Sequence, residues 1–224
     1  GAGKGFMARD GVFDEVDCAL TWHPSDINAV KTDSSLANYQ ISFHFTGVGS
    51  HAALSPHLGR SALDAVELMN VGVQFLREHI IPEARIHYAI TDAGGYSPNV
   101  VQPKAEVLYL MRAPTNGAVR EIYQRVCDIA RGAALMTGTK LEIQFIKACS
   151  SIVHNCVLAD VLQENMEAIP CPVFGKEERE FASQLQATFS KTMDSLDRYA
   201  NFFDAATRER INAYRGQPFY DFVM

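Results

Sequence analysis

Hydrophobic residues change their spacing repeatedly between Asn38 and Cys149, and the order of those changes constrains the fold more tightly than any single motif. Ile41, Phe43 and Phe45 alternate with Ser42, His44 and Thr46, the period of two that a half-buried strand requires. Gly47 and Gly49 break the alternation. Leu63, Val66, Leu68, Met69, Val73, Leu76 and Ile80 then recur at helical spacing until Pro82 stops the run. Ile86, Tyr88 and Ile90 alternate again up to Gly94-Gly95, and Val107, Tyr109 and Met111 form a further alternating run that ends at Pro114. Val119, Ile122, Val126, Ile129 and Ala133 predict a second helix closing at Gly138, and Leu141, Ile143 and Phe145 a last strand. The order is β-α-β-β-α-β over roughly residues 38 to 148. This predicts an α+β, ferredoxin-like unit, an antiparallel sheet with both helices on one face. The opposite face carries Ser42, His44, Arg85 and His87, polar enough for solvent or a partner.

The flanks read differently. Phe13 to Trp22, "FDEVDCALTW", predicts a short strand ending at His23-Pro24, "VLADVLQENMEAI" predicts a helix, and Glu177 to Phe203 is a long, charged, amphipathic stretch. The central unit therefore reads as an insertion, dividing the chain into residues 1–34, 35–150 and 151–224. A chain of 224 residues, 47% hydrophobic, can bury one large core or two small ones. Its net charge of -6 excludes a sequence-independent nucleic-acid binder, which needs clustered Lys and Arg to displace counterions. No apolar run approaches the ~20 residues of a membrane span. Cys18, Cys127, Cys149, Cys156 and Cys171 are odd in number and form no CxxC pair, which fits a reducing, cytoplasmic compartment. The chain opens on Gly1-Ala2-Gly3-Lys4, with neither an initiator Met nor a secretory signal, and is expected to be a fragment or a processed product.

The motifs carry less on their own. "GAGKGF" lacks the Walker spacing and the hydroxyl that follows Gly-Lys, so a nucleotide loop is rejected. His23, between Trp22 and Pro24, can present one ring nitrogen to a metal while the other is held by an acceptor, but spacing alone favours a histidine that merely caps a strand. One ligand is not a site, because a catalytic zinc usually takes three protein ligands. In "GSHAALSPHLGRSALDA", His51 and His57 can share a metal only if the intervening Pro56 allows it, and a surface turn explains His57. His51 follows a strand directly and is placed to donate to a developing oxyanion. Asn99, in a Gly/Pro-rich loop, has an amide suited to a carboxylate or carbonyl, or is simply a turn asparagine.

Taken together, "GVFDEVDCALTWHP", "GSHAALSPHLGRSALDAVELM", "HYAITDAGGYSPNVVQPKAEVLYLMRAP" and "GAALMTGTKLEIQFIKACSS" closely resemble the metallopeptidase family that includes carboxypeptidase G, aminoacylase and the auxin-conjugate amidohydrolases. The resemblance runs to about residue 190 and fades from Lys191 to Met224. It implies a two-zinc α/β catalytic domain interrupted by a ferredoxin-like lid that also mediates dimerisation, and metal-dependent hydrolysis of an N-acyl amino acid such as an acyl-glutamate. It further implies that His23 is a metal ligand, that His51 reaches from the lid to steady the oxyanion, often in the partner's site, and that Asn99 contacts the substrate's carboxylate end.

The remaining implied ligands and the general-base Glu do not fall within these residues. The expectation is therefore zinc or manganese in the full-length protein, no tightly bound metal in this chain, and a catalytically silent piece. The expected partners are a second copy through the lid and a second, different hydrolase chain. The competing expectation is a non-catalytic ferredoxin-like module for dimerisation or small-ligand binding.

Overall fold

The central strand of the sheet is also the first in the chain. β1 (Ala37–Thr46) alternates strictly enough that Ile41, Phe43 and Phe45 are buried while Thr46 is exposed. It has a neighbour on each side. β5 (Lys104–Ala113) pairs with it antiparallel from Ala37↔Ala113 to Thr46↔Lys104, and β6 (Lys140–Cys149) pairs on the other edge from Asn38↔Cys149 to Thr46↔Lys140. β3 (Arg85–Asp92) pairs with β5 antiparallel, giving a four-stranded sheet in the order β3-β5-β1-β6. A register shift at Gln40/Ile41 bulges β6, and such a bulge raises the local twist. This computed structural model describes residues 3–24, 28–32, 34–169, 171–188 and 205–213.

Two helices close one face of the sheet. α2 (Ala62–Arg77) starts where the Ser61 hydroxyl accepts from the Asp64 amide at 3.1 Å, and α3 (Asn116–Thr137) where Thr115 Oγ1 accepts from Ala118 at 3.2 Å. Caps of this kind contribute about 1 kcal/mol each. α3 ends at Gly138, a C-cap in the left-handed conformation at φ 66°. Ala65, Val66, Met69 and Val73 of α2 and Val119, Ile122, Val126 and Ala130 of α3 share one core with Phe43, Val107, Tyr109 and Met111 of the sheet. Burying each large side chain there is worth about 1.5–3 kcal/mol. Side-chain contacts tie each helix to this face. Tyr39 of β1 meets Tyr123 of α3 edge-on at 6.0 Å, and Tyr109 of β5 donates to the buried Asn70 of α2.

The other face binds itself together. Ser42 Oγ donates to Glu106 Oε1 at 2.6 Å, His44 Nδ1 lies 3.5 Å from Glu106 Oε2, and its Nε2 lies 3.3 Å from Gln144 Oε1. Arg85 donates to the carbonyls of Pro82 and Ala84. All the expected central elements are found; the strands and α3 extend a few residues beyond their hydrophobic signatures, whereas α2 stops at Arg77, short of the Ile80 that its periodicity included.

The chain separates into two compact units, one of Gly1–Glu15 with Ser34–Val153, the other of Val16–Asp33 with the residues from His154 on. The first also holds the helix α1 (Gly3–Arg9). The strand expected over Phe13–Trp22 is not formed: residues 10–15 turn, and Val16–Pro24 carry no regular element. A strand exists only as half of a hydrogen-bonded ladder, and among the described residues nothing pairs with this segment. In the second unit the expected helix is α4 (Cys156–Ala168), capped by Asn155 Oδ1 accepting from the Leu158 amide at 3.0 Å. The amphipathic stretch begins as α5 (Lys176–Gln186), and its part from residue 189 to Phe203 lies outside the described residues. A further helix covers Ala205–Ala213. No helix among the described residues is long and apolar enough to cross a membrane.

Candidate active site

The chain leaves β1 through Gly47, where a side chain has no room: a Cβ would sit 1.9 Å from the Arg60 carbonyl oxygen. The Gly47 amide donates to the Pro103 carbonyl at 2.8 Å, and Val48 and Arg60 exchange backbone bonds at 2.9 and 2.8 Å. The excursion from Val48 to Arg60 is thereby closed at its base. Within it, β2 (Ser50–His51) pairs with β4 (Val100–Val101), setting His51 opposite Val100. The next amide, Ala52, donates to the Asn99 carbonyl at 2.9 Å. The structure therefore brings His51 and Asn99, far apart in sequence, to one short strand pair.

The His51 ring is oriented by its own loop. The amides of Ala53 and Leu54 reach its Nδ1 at 3.2 and 3.3 Å, and the Ser55 amide bonds its carbonyl at 2.9 Å. An amide N–H can only donate, so Nδ1 is the acceptor and the ring proton sits on Nε2. His51 is exposed, and its Nε2–H is the donor available to a ligand. Asn99 is exposed in the turn that precedes β4, where the Val100 amide donates to the Ser97 carbonyl at 3.2 Å. Its side-chain amide supplies both a donor and an acceptor. Beside them the Ser50 hydroxyl is buried without a hydrogen-bond partner among the described residues.

His57 sits in a single 3-10 turn, Pro56–Leu58, exposed, with its carbonyl accepting from Arg60 at 3.2 Å. The amides that hold His51 are those of Ala53 and Leu54, and His57 has no part in that contact. His23 belongs to the other unit and follows irregular, exposed chain rather than a strand. Its Nδ1 lies 2.9 Å from the Pro24 carbonyl oxygen, so Nδ1 carries the proton and Nε2 the lone pair. That is the tautomer a metal ligand needs, with a backbone carbonyl as the outer partner. No group of three or more His, Cys, Asp or Glu among the described residues can hold a metal ion.

Sequence reasoning singled out His51 and Asn99, whose segments the structure sets side by side, but not the turn that orients the imidazole. The atoms that hold the ring are backbone amides of Ala53 and Leu54, which leave no side-chain signature. It also missed the unpartnered Ser50 hydroxyl, whose isolation arises only from packing.

No family model matches the chain. Among known proteins, it is 55% identical over 190 residues to one of the subunits of p-aminobenzoyl-glutamate hydrolase from Escherichia coli (strain K12), covering 85% of this chain. It is 33% identical over 144 residues to Xaa-Arg dipeptidase of Mus musculus, covering 64% of this chain. The chain spans about 40% of the first relative's length and 33% of the second's. Among solved structures, an aminobenzoyl-glutamate utilization protein from Klebsiella pneumoniae superposes with a TM-score of 0.56 at 22% identity, over 81% of this chain and 50% of that one. At that identity the likeness concerns the fold. By sequence over most of its length, and by fold, the chain is a relative of the p-aminobenzoyl-glutamate hydrolases, in agreement with the resemblance read from its motifs.

Proposed function

We propose that the full-length protein is a metal-dependent amidohydrolase that cleaves the amide bond of an N-acyl amino acid, with p-aminobenzoyl-glutamate as the favoured substrate. Identity of 55% to a hydrolase named for that substrate supports the choice. In this scheme residues 35–150 form a ferredoxin-like lid and dimerisation domain, and residues 1–34 and 151–224 are parts of an α/β catalytic domain. The strand order β3-β5-β1-β6, with both helices on one face, supports the lid assignment.

The observation that carries the proposal is the exposed His51 ring, whose Nδ1 is capped by two amides so that Nε2 carries the proton, on a segment bonded to that of Asn99. The carbonyl oxygen of the scissile amide accepts from Nε2–H. As its carbon turns tetrahedral, charge builds on that oxygen and the hydrogen bond strengthens, which lowers the barrier rather than the binding energy. Asn99 donates its amide N–H to the carboxylate of the amino-acid part and sets the substrate's direction. His23, through Nε2, is the ligand this chain contributes to a divalent metal, zinc or manganese. When bound, such a metal polarises the carbonyl and lowers the pKa of water. With one ligand of the usual three, the chain alone is expected to be silent.

Assembly follows from the sheet. β3 is an edge strand with Tyr88 and Ile90 exposed, and α2 shows Leu68, Val71 and Phe75 on its outer side. A two-fold axis would let both features pair with themselves, giving a homodimer through the lid. The other named subunit of the Escherichia coli hydrolase is also a relative, 29% identical over 154 residues, which supports a second, different hydrolase chain as a further partner. Free Cys18, Cys127, Cys149, Cys156 and Cys171 support a reducing, cytoplasmic compartment.

The test is the full-length protein assayed for glutamate released from p-aminobenzoyl-glutamate. His51→Ala should lower kcat by about 10²–10³ with KM nearly unchanged, the cost of one oxyanion donor. His51→Gln, which restores an N–H, should recover part of it. A His51→Ala variant with normal kcat refutes the assignment.

A further inference from the structure

We propose that Tyr96 is the specificity residue for an aromatic acyl group in the site formed by His51 and Asn99. The inference rests on the proposal that this site binds an N-acyl amino acid. A single exposed aromatic is ordinary on a protein surface. Tyr96 differs in its position and in how firmly that position is held. Its side chain is fully exposed, and it makes no ring contact among the described residues.

The loop that presents it is fixed at both ends. At the near end the Gly94 amide donates to Asp92 Oδ1 at 2.8 Å, and Gly94 and Gly95 take positive φ of 86° and 119°. Gly94 lies so close to β5 that a Cβ would be 2.4 Å from the Lys104 carbonyl oxygen. At the far end the Ser97 carbonyl accepts from Val100, and the Asn99 carbonyl from Ala52, the residue after His51. Tyr96 is thus an aromatic side chain on a loop whose two ends are hydrogen-bonded, three residues before Asn99. Three residues span at most about 10 Å, within the length of one acyl-amino acid.

The ring suits one portion of such a ligand. An arene offers its flat face for offset or edge-on packing, whereas a carboxylate is repelled by the negative face of the tyrosine ring. With Asn99 holding the carboxylate end and His51 the carbonyl, the acyl arene is the part left for Tyr96. Its hydroxyl is not required for that contact, which makes the proposal separable from a tyrosine–carboxylate hydrogen bond.

The experiment compares p-aminobenzoyl-glutamate with acetyl-glutamate, which has the same amino acid and no ring, in the full-length metal-loaded protein. Tyr96→Ala should lower the ratio of kcat/KM for the aromatic over the acetyl substrate by about two- to twelve-fold, the worth of one aromatic pair, mostly through KM. Tyr96→Phe should keep the wild-type ratio. Thermal unfolding of each variant controls for folding. An unchanged ratio in Tyr96→Ala overturns the inference, whether both substrates suffer equally or neither does. Loss on both substrates in Tyr96→Phe also overturns it, assigning the hydroxyl to the shared carboxylate. Wild-type protein inactive on both substrates would instead strike at the proposed function beneath it.

Discussion

Replacing Tyr109 with phenylalanine removes one oxygen from the core between the sheet and its helices and nothing else. The Tyr109 side chain is completely buried, with Phe43 edge-on at 5.6 Å and Tyr88 stacked at 5.4 Å. Those ring contacts survive the change. What is lost is the hydrogen bond to Asn70 Oδ1, and Asn70 is only 7% exposed. Its carbonyl oxygen is left in the core without its donor, at a cost of about 1–3 kcal/mol. For a domain of this size that is about 3–5 °C in Tm per kcal/mol. Urea unfolding at neutral pH should show a lower midpoint with an unchanged slope. Adding Asn70→Leu, which removes the other partner, should restore much of the loss, so the two changes should be strongly non-additive. The same residue sets an alkaline limit. Burial first, and then Tyr88, push the Tyr109 phenol well above its usual value, against a smaller opposing effect of Arg77. The unfolded chain therefore loses this proton first. The contribution is complete below pH ~10, the usual phenol value, and falls by about 1.4 kcal/mol per pH unit above it until the folded phenol titrates. Tyr109→Phe should flatten that alkaline slope. A variant within about 0.5 kcal/mol of wild type, with an unchanged alkaline limb, would refute the reasoning.

Other outcomes follow from the site. His57→Ala should leave kcat and KM in the full-length protein nearly unaltered, because its exposed ring makes no hydrogen bond among the described residues; a loss comparable to that of His51→Ala would show that the 3-10 turn is part of the machinery. If His51 serves the partner's site, mixing His51→Ala protomers with protomers inactivated at the general base should restore partial activity, and heterodimers that form but remain dead would place His51 in its own protomer's site. Gly47→Ala should destabilise the sheet unit by about 1–3 kcal/mol, since an overpacked backbone must shift, and it should also cut kcat/KM by displacing β2; wild-type unfolding and kinetics would show that the chain accommodates the methyl group. Zinc titrated into this chain alone by calorimetry should show no tight site, and one or two tight sites would require ligands beyond His23.

The alternating runs made the sheet legible because each buried side chain in β1 and β5 reports its own face. Ile41, Phe43, Val107 and Tyr109 needed no tertiary information to be placed. β2 and β4 are too short to have a period, so the contact between the His51 and Asn99 segments was invisible in the sequence. Phe13–Trp22 failed for the opposite reason. Its residues suit a strand, but a ladder needs a partner, and none lies among the described residues. The His51 tautomer was out of reach as well, since Ala53 and Leu54 act through amides that every residue but proline possesses.

The place of β1 in the sheet has a consequence for how the chain is made. Phe43 pairs with Val107 on one side and Ile143 on the other, 64 and 100 residues later by subtraction. At about 5–20 residues per second of synthesis, the strand that becomes the centre waits some 5–20 s for its last neighbour. Throughout that time its backbone edge toward β6 is open to other nascent chains. The sheet therefore cannot settle from its first strand as it emerges from the ribosome. A polypeptide stalled near Gly138, lacking β6, would keep one edge of its central strand unpaired, making it a substrate for chaperones and a seed for aggregation.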